Sequence, residues 1–93
     1  MPRLDRRRAN PNPANCIGQR VREARVRLGH SQASCAELLQ RELTTLYPEI
    51  RFVLDQSDLS RLENGRRPVW DYEVRALAIV LQVSADWLLG LAD

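Results

Sequence analysis

Residues 54–67 have the sequence LDQSDLSRLENGRR, a short polar segment with helix signals at both ends. Asp55 is a favourable N-cap, because its carboxylate can accept hydrogen bonds from the free N–H groups of a first helical turn. Leu59 and Leu62 lie three residues apart and therefore share one helical face. Gly65 suits the left-handed residue that follows a helix. The segment therefore predicts a short helix that buries two leucines and exposes a polar face.

The chain before this helix contains two further helical patterns. A first helix is predicted from Asn15, a favourable N-cap, to Gly29. Its apolar residues recur at spacings of four, three and four, with three arginines on the other faces: Ile17, Val21, Ala24 and Leu28 against Arg20, Arg22 and Arg27. Ser31 caps a second helix, which must end by Pro48. The apolar positions of this second helix are Cys35, Ala36, Leu38, Leu39, Leu43 and Leu46.

The chain after residue 67 predicts two more helices. The apolar residues of a fourth helix share one face: Val74, Leu77, Ala78 and Leu81. Ser84 caps a short fifth helix that Gly90 ends, and this helix contains Trp87, Leu88 and Leu89. Residues 49–54, EIRFVL, are too few for their period to distinguish a helix from a strand. The predicted fold class is therefore all-α, with five helices and no assigned sheet.

Length and charge limit the classes of protein that this chain can be. Its 93 residues, 44% of them apolar, suit one domain with a single compact core. Residues 1–30 hold eight Arg against two acids, a balance of +6, whereas residues 71–93 hold one Arg against four acids, a balance of −3. Such polarised charge is expected when one face meets a polyanion, and a solvated, charge-rich surface explains it equally well.

Several classes of function lack any sequence signal. Cys16, Cys35 and His30 have no zinc-ligand spacing, so neither a metal site nor a cofactor is predicted. The reactive side chains form no recognisable catalytic set, which argues against an enzyme. There is no apolar run of membrane-spanning length and no secretory signal, so the expected location is the cytoplasm, in association with the nucleoid.

Five stretches in a fixed order resemble the Cro and lambdoid-repressor (XRE-type) helix-turn-helix family. They are IGQRVREARVRLGHSQ (17–32), Ala36 with Leu39, LDQSDLSRLENGRR (54–67), LAIVLQV (77–83) and SADWLLG (84–90). The resemblance implies a five-helix, lambda-repressor-like DNA-binding domain over residues 15–93. It also implies that the third helix is a recognition helix that enters the DNA major groove. Residues 1–14 contain three prolines, four arginines and almost no apolar periodicity, so they are expected to form a flexible basic arm.

The resemblance assigns base contacts to Gln56, Ser57 and Arg61, near the amino-terminal end of the recognition helix. Gln can bind adenine N6 and N7 together, Ser is a less selective donor and acceptor, and Arg can fork onto guanine O6 and N7. Asp58 has two interpretations. It can accept from cytosine N4, but stabilisation of the helix dipole is the favoured one.

The resemblance further implies contacts to the DNA backbone, which supply affinity rather than specificity. The residues concerned are Gln32, Ser60, Asn64, Arg66 and Arg67. Arg25 and Glu63 match a structural ion pair. The basic arm either contacts DNA or is a solubilising tail, and its arginines are Arg3, Arg6, Arg7 and Arg8.

The chain departs from the family pattern between Leu39 and Asp55, where about a dozen extra residues replace a short turn. The inserted sequence QRELTTLYPEIRFV, residues 40–53, is expected to lengthen the second helix and add a loop. Its apolar residues Leu43, Leu46 and Tyr47 either pack against the chain's own helices or form a patch for another subunit. A smaller departure is Gln82, which stands where the family often has Gly.

The function expected from the resemblance is that of a prokaryotic-type transcriptional regulator, a repressor that binds double-stranded DNA. It would bind a pseudo-palindromic operator as a homodimer. Two alternatives stay open. One is the antitoxin of a toxin-antitoxin module, with a protein partner bound through residues 40–53. The other is a protein-interaction module that has lost DNA binding.

Overall fold

The computed structural model describes residues 14–92, and within that range the chain forms five helices and no strand. The helices are α1 (Gly18–Arg27), α2 (Gln32–Leu46), α3 (Gln56–Glu63), α4 (Asp71–Leu81) and α5 (Ala85–Leu88). The all-α, five-helix prediction is confirmed. The predicted basic arm, with its four arginines, lies outside the described residues apart from Ala14. The carbonyl of Ala14 accepts a hydrogen bond from the Val69 N–H, 3.0 Å away.

The first turns of three helices are capped by the side chains that the sequence indicated. The Ser31 hydroxyl accepts from the Ser34 N–H at the start of α2, and the Ser84 hydroxyl accepts from the Trp87 N–H at the start of α5. Asp55 and Asp58 cap α3 reciprocally, each carboxylate accepting from the other residue's backbone N–H. These caps satisfy N–H groups that have no acceptor within the helix.

The start of α1 differs from the prediction by two residues. Ile17, and not Asn15, is the N-cap, and its side chain forms no capping bond. The Asn15 side chain still serves this turn, because its Oδ1 accepts from the N–H groups of Ile17 at 3.2 Å and Gly18 at 3.0 Å. Its Nδ2 donates to the Leu62 carbonyl at 2.8 Å and to the Arg67 carbonyl at 3.0 Å. Asn15 therefore fastens the start of α1 to the end of α3.

The core is formed by apolar side chains from all five helices. Its fully buried larger residues include Ile17, Val21, Leu39, Leu43, Leu59, Leu62, Leu77, Leu81 and Leu88. Leu28 shares the apolar face of α1 in the sequence pattern, but it is the C-cap residue and its side chain is exposed. Leu38 is only half-buried. The helical spacing of apolar residues thus identified most of the buried positions, with Leu28 and Leu38 as exceptions.

The insertion is mostly folded back onto the chain itself. It lengthens α2 to 15 residues, as expected, and continues as irregular backbone, so residues 49–54 are neither helix nor strand. Tyr47, Phe52 and Tyr72 form a ring cluster with centroid distances of 5.5–6.0 Å. Leu43 is fully buried, and Leu46 and Tyr47 pack against the core. These residues therefore cover the chain's own helices.

The end of the insertion is attached to α2 by one amide side chain. Gln40 Nε2 donates to the Phe52 carbonyl, and Gln40 Oε1 accepts from the Leu54 N–H at 2.7 Å. Gln40 thus supplies one donor and one acceptor to the backbone of residues 52 and 54. Because Asp55 and α3 follow at once, this attachment also fixes where α3 begins.

Candidate nucleic-acid interface

The inner face of α3 packs on the core and its outer face is polar. Leu59 and Leu62 have no exposed surface, and Glu63 is 6% exposed. Gln56, Ser57 and Arg61 are exposed. Because Ser57 and Arg61 are four residues apart, they lie one helical turn from each other on the same side. The three residues predicted to contact bases therefore lie together on one accessible side.

An open groove of about 500 Å³ runs between the start of α2 and the outer face of α3. Its lining is polar, and it comprises Gln32, Gln56, Ser57, Ser60 and Arg61. The fold thus brings the three base-contact candidates together with two of the backbone-contact candidates. The backbone N–H groups at the start of α2 carry the positive end of the helix dipole, which favours a phosphate there.

A buried polar network fixes α3 against α1 and α2. Arg25 Nε donates to Glu63 Oε2 at 2.6 Å and Arg25 Nη2 donates to Glu63 Oε1 at 3.1 Å. Gln32 Nε2 donates to Glu63 Oε1 at 3.0 Å, and Arg25 Nη1 donates to the His30 carbonyl at 2.8 Å. The hydrogen bond to Glu63 raises the pKa of Arg25 above its ordinary value. Because the Glu63 side chain is only 1% exposed, this ion pair is desolvated and orients the helix.

The backbone-contact candidates after α3 differ in their availability. The Asn64 side chain donates to the Ser60 carbonyl at 2.9 Å, which satisfies the end of its own helix. Arg67 forms a two-bond ion pair with Glu73 at 3.2 and 2.9 Å. Arg66 is exposed and forms no ion pair with any residue in the range 14–92. Of the two arginines, Arg66 is the one whose guanidinium is available for a phosphate.

Asp58, in the first turn of α3, forms an ion pair with Arg61. Arg61 Nη2 donates to Asp58 Oδ1, and the Asp55 N–H donates to Asp58 Oδ2 at 3.1 Å. The backbone hydrogen bond from Asp55 is the main cause that lowers the pKa of Asp58, and the charge of Arg61 adds to it. The sequence favoured stabilisation of the helix dipole by Asp58 and did not indicate its capping bond from the Asp55 N–H. It did not find the ion pair, although the spacing of three residues is a usual one for such pairs.

Two arginines of the basic half have a structural role that the sequence analysis missed. The guanidinium groups of Arg20 and Arg27 lie 5.0 and 5.5 Å from the centroid of the Trp87 ring, a distance typical of cation–π contacts. Arg20 Nη1 also donates to the Trp87 carbonyl at 2.8 Å. No fixed sequence spacing links these residues, so the pattern gave no signal. Two of the arginines of α1 therefore contact α5 and help to pack it against α1.

A family model described as a helix-turn-helix domain matches residues 17–88, well over half of the chain. The chain belongs to the helix-turn-helix domain family. This membership agrees with the XRE-type resemblance and indicates a DNA-binding regulator, a class that is typically not enzymatic. No curated protein and no solved structure gives a significant match to this helix-turn-helix chain.

No cluster of three or more metal-ligating side chains occurs in the part of the chain that the structure describes. No helix between residues 14 and 92 is long and apolar enough to cross a membrane.

Proposed function

We propose that this protein is a sequence-specific transcriptional regulator, a repressor that reads the major groove of double-stranded DNA with α3. The observation that carries this proposal is the groove itself. Its lining joins the exposed face of α3 to the start of α2, and every residue in it is polar. Helices that enter the major groove present such a face, with the base-reading residues at their amino-terminal end.

Each residue of the groove has a role that matches its chemistry. Gln56 offers an amide that suits adenine, and Arg61 offers a guanidinium that suits guanine. Ser57 adds a hydroxyl between them. Gln32 and Ser60 also line the groove, and bonds from them to phosphate would position the protein without specifying sequence. Arg66, and secondarily Asn64 and Arg67, supply further backbone contacts from the end of α3.

The proposed assembly is a homodimer on a pseudo-palindromic operator, with half-sites about one helical turn apart. The exposed apolar residues near the carboxyl-terminal end support a surface for the second copy: Leu89 is 41% exposed and Leu91 is 76% exposed. Leu88 is fully buried and Trp87 is half-buried, so neither offers much free surface. Analytical ultracentrifugation of the full chain with and without operator DNA tests this assembly.

The test of specific binding is selection of bound sequences from a pool of random duplex DNA at low salt. We expect one enriched motif from the wild-type protein. The Arg61→Ala variant should lose preference at one position of that motif. Arg75→Ala, which removes an exposed arginine from α4, is the matched control and should leave the motif unchanged. If no motif is enriched with the wild-type protein, sequence-specific binding is refuted.

The alternative with a protein partner depends on the remaining exposed part of the insertion. Ile50 is 54% exposed and Val53 is 78% exposed, and these are the apolar side chains that an antitoxin's partner would bury. Replacing both with Asp should abolish binding of such a partner and leave DNA binding intact. If the variant instead behaves like wild type with the product of a neighbouring toxin-like gene, this alternative fails.

A further inference from the structure

We propose that Asp58 is a positioning residue that sets the base preference of Arg61. This inference rests on the proposed function and deepens it, because it concerns how the same groove achieves specificity. Asp58 would act through Arg61 and would not itself contact a base. The alternative is direct recognition of cytosine by the carboxylate, which predicts a different outcome in the experiment below.

The carboxylate of Asp58 is held in place on both sides. Oδ2 accepts from the Asp55 N–H at 3.1 Å, and the Asp58 N–H donates to Asp55 Oδ1 at 2.9 Å. Oδ1 receives Nη2 of Arg61. The Asp58 side chain is 22% exposed, whereas that of Arg61 is 54% exposed. A fixed, partly buried acid therefore holds a more exposed and longer basic side chain.

The pair leaves most of the Arg61 guanidinium available. A guanidinium has five N–H donors, and the contact with Asp58 is made through Nη2 alone. The Asp58 carboxylate is ionised at neutral pH, as that of an ordinary Asp is, and the backbone hydrogen bond from Asp55 lowers its pKa further. Arg61 can therefore keep this partner while its other donors form the two bonds that recognise guanine.

This arrangement has two physical effects on specificity. A free arginine loses side-chain entropy when it binds a base, whereas a guanidinium already held by a carboxylate loses less. A free arginine can also turn to a phosphate, which every sequence offers, and the bond to Asp58 opposes that movement. The negative charge itself repels phosphates and weakens binding to all sequences. Asp58 therefore weakens binding to other DNA sequences more than it weakens binding to the preferred sequence.

The experiment compares four variants and one control variant with wild type, first by selection from random duplexes and then by affinity. Arg61→Ala identifies the base pair that Arg61 reads. Dissociation constants are then measured for the preferred duplex and for one changed only at that base pair. The variants are Asp58→Asn, Asp58→Glu, Arg61→Ala and the double variant Asp58→Asn with Arg61→Ala. Asp55→Asn is the matched control, because it removes one charge from the same helix end and keeps the Asp58–Arg61 pair.

For wild type we expect the two duplexes to differ about 5- to 150-fold in affinity, the range for a good bidentate contact. Asp58→Asn should reduce this ratio by about two- to fivefold, the range for an exposed ion pair, and should strengthen non-specific binding. Asp55→Asn should strengthen non-specific binding only. Asp58→Glu, which keeps the charge but moves the carboxylate, should reduce the ratio without raising non-specific affinity.

The double variant separates positioning from direct recognition. With Arg61 already replaced, Asp58→Asn should change no base preference. An unchanged ratio in both Asp58 variants would overturn the inference, and so would a preference that Asp58→Asn alters in the absence of Arg61. Failure of the wild-type protein to select any motif is a separate result, which refutes the proposed function and this inference with it.

Discussion

Arg25 and Glu63 are joined by two hydrogen bonds between the end of α1 and the end of α3, with the Glu63 side chain almost completely buried. The Glu63→Ala substitution leaves the mostly buried guanidinium of Arg25 without its ionic partner. We expect the free energy of unfolding to fall by about 3–5 kcal/mol, measured by urea denaturation. The control is Glu37→Ala, which breaks the exposed pair with Arg41 and should change stability by less than about 1 kcal/mol. Equal losses in the two variants would contradict the structural role assigned to Glu63.

Gly18 lies where α1 meets the last turn of α3, and it has no room for a side chain. A Cβ atom there would clash with the carbonyl oxygen of Leu62 and would lie 2.9 Å from that of Glu63. In an open helix Gly→Ala is stabilising by about 0.5–1 kcal/mol, but here we expect a loss of about 1–3 kcal/mol. The control is Gln19→Ala, on the exposed face of α1. Thermal unfolding of both variants measures the effect, and a stabilised Gly18→Ala would show that the helices can separate freely.

Gln82 has a φ angle of +57°, the left-handed conformation that side chains disfavour. Glycine adopts it without that cost, so Gln82→Gly should raise the stability by up to about 1 kcal/mol, after allowance for the greater freedom of the unfolded chain. Gln82→Val should lower it, because a β-branched residue is strained further. The melting temperatures of the three proteins should therefore follow the order Gly, Gln, Val. The reverse order for Gly and Gln would mean that the Gln82 side chain forms stabilising contacts.

Arg61 and Arg66 are predicted to differ in how their loss affects DNA binding. Arg66→Ala should weaken binding to all sequences equally and reduce the slope of log affinity against log salt by about 1, since one phosphate contact is lost. Arg61→Ala should relax preference at one base pair. Fluorescence anisotropy over a salt series, with specific and scrambled duplexes, measures both. Identical behaviour of the two variants would refute the division between backbone and base contacts.

The two cysteines are predicted to differ in reactivity. Cys16 is exposed, whereas Cys35 is fully buried and burial raises the pKa of its thiol to about 11. At pH 8 only about one Cys35 thiol in a thousand is therefore ionised, and a labelling reagent cannot reach it. Ellman's reagent should detect one thiol in the folded protein and two after denaturation. Cys16→Ser should abolish the fast reaction, and rapid labelling of that variant would contradict the buried position of Cys35.

The parts of the fold that the sequence predicted are those set by neighbouring residues. The caps at Ser31, Asp55 and Ser84 each depend on a side chain and a backbone N–H three residues later, so they can be found from spacing alone. The buried positions of α1 and α3 can likewise be found from the helical spacing of their apolar residues. The exposure of Leu28 was not indicated, because the helical period does not show whether a residue at the end of a helix still packs on the core.

The parts that could not be predicted depend on residues far apart in the chain. Asn15 bonds a carbonyl 47 positions away, and Arg20 contacts a tryptophan 67 positions away. Neither partner is indicated by local spacing. At the candidate interface, the resemblance supplied the positions of the groove residues, but not the pairing of Arg67 with Glu73 or of Arg61 with Asp58. These pairings decide how many donors of each guanidinium remain available for DNA.

The attachment of residues 52 and 54 to Gln40 has a practical consequence for engineering. The chain leaves the core after Tyr47 and returns at Phe52, and both points are held by their own contacts. The exposed stretch 48–51 between them is therefore a graft site, where a peptide tag can be inserted without moving α3. Since each doubling of loop length costs only about 0.6 kcal/mol, such fusions should keep their fold.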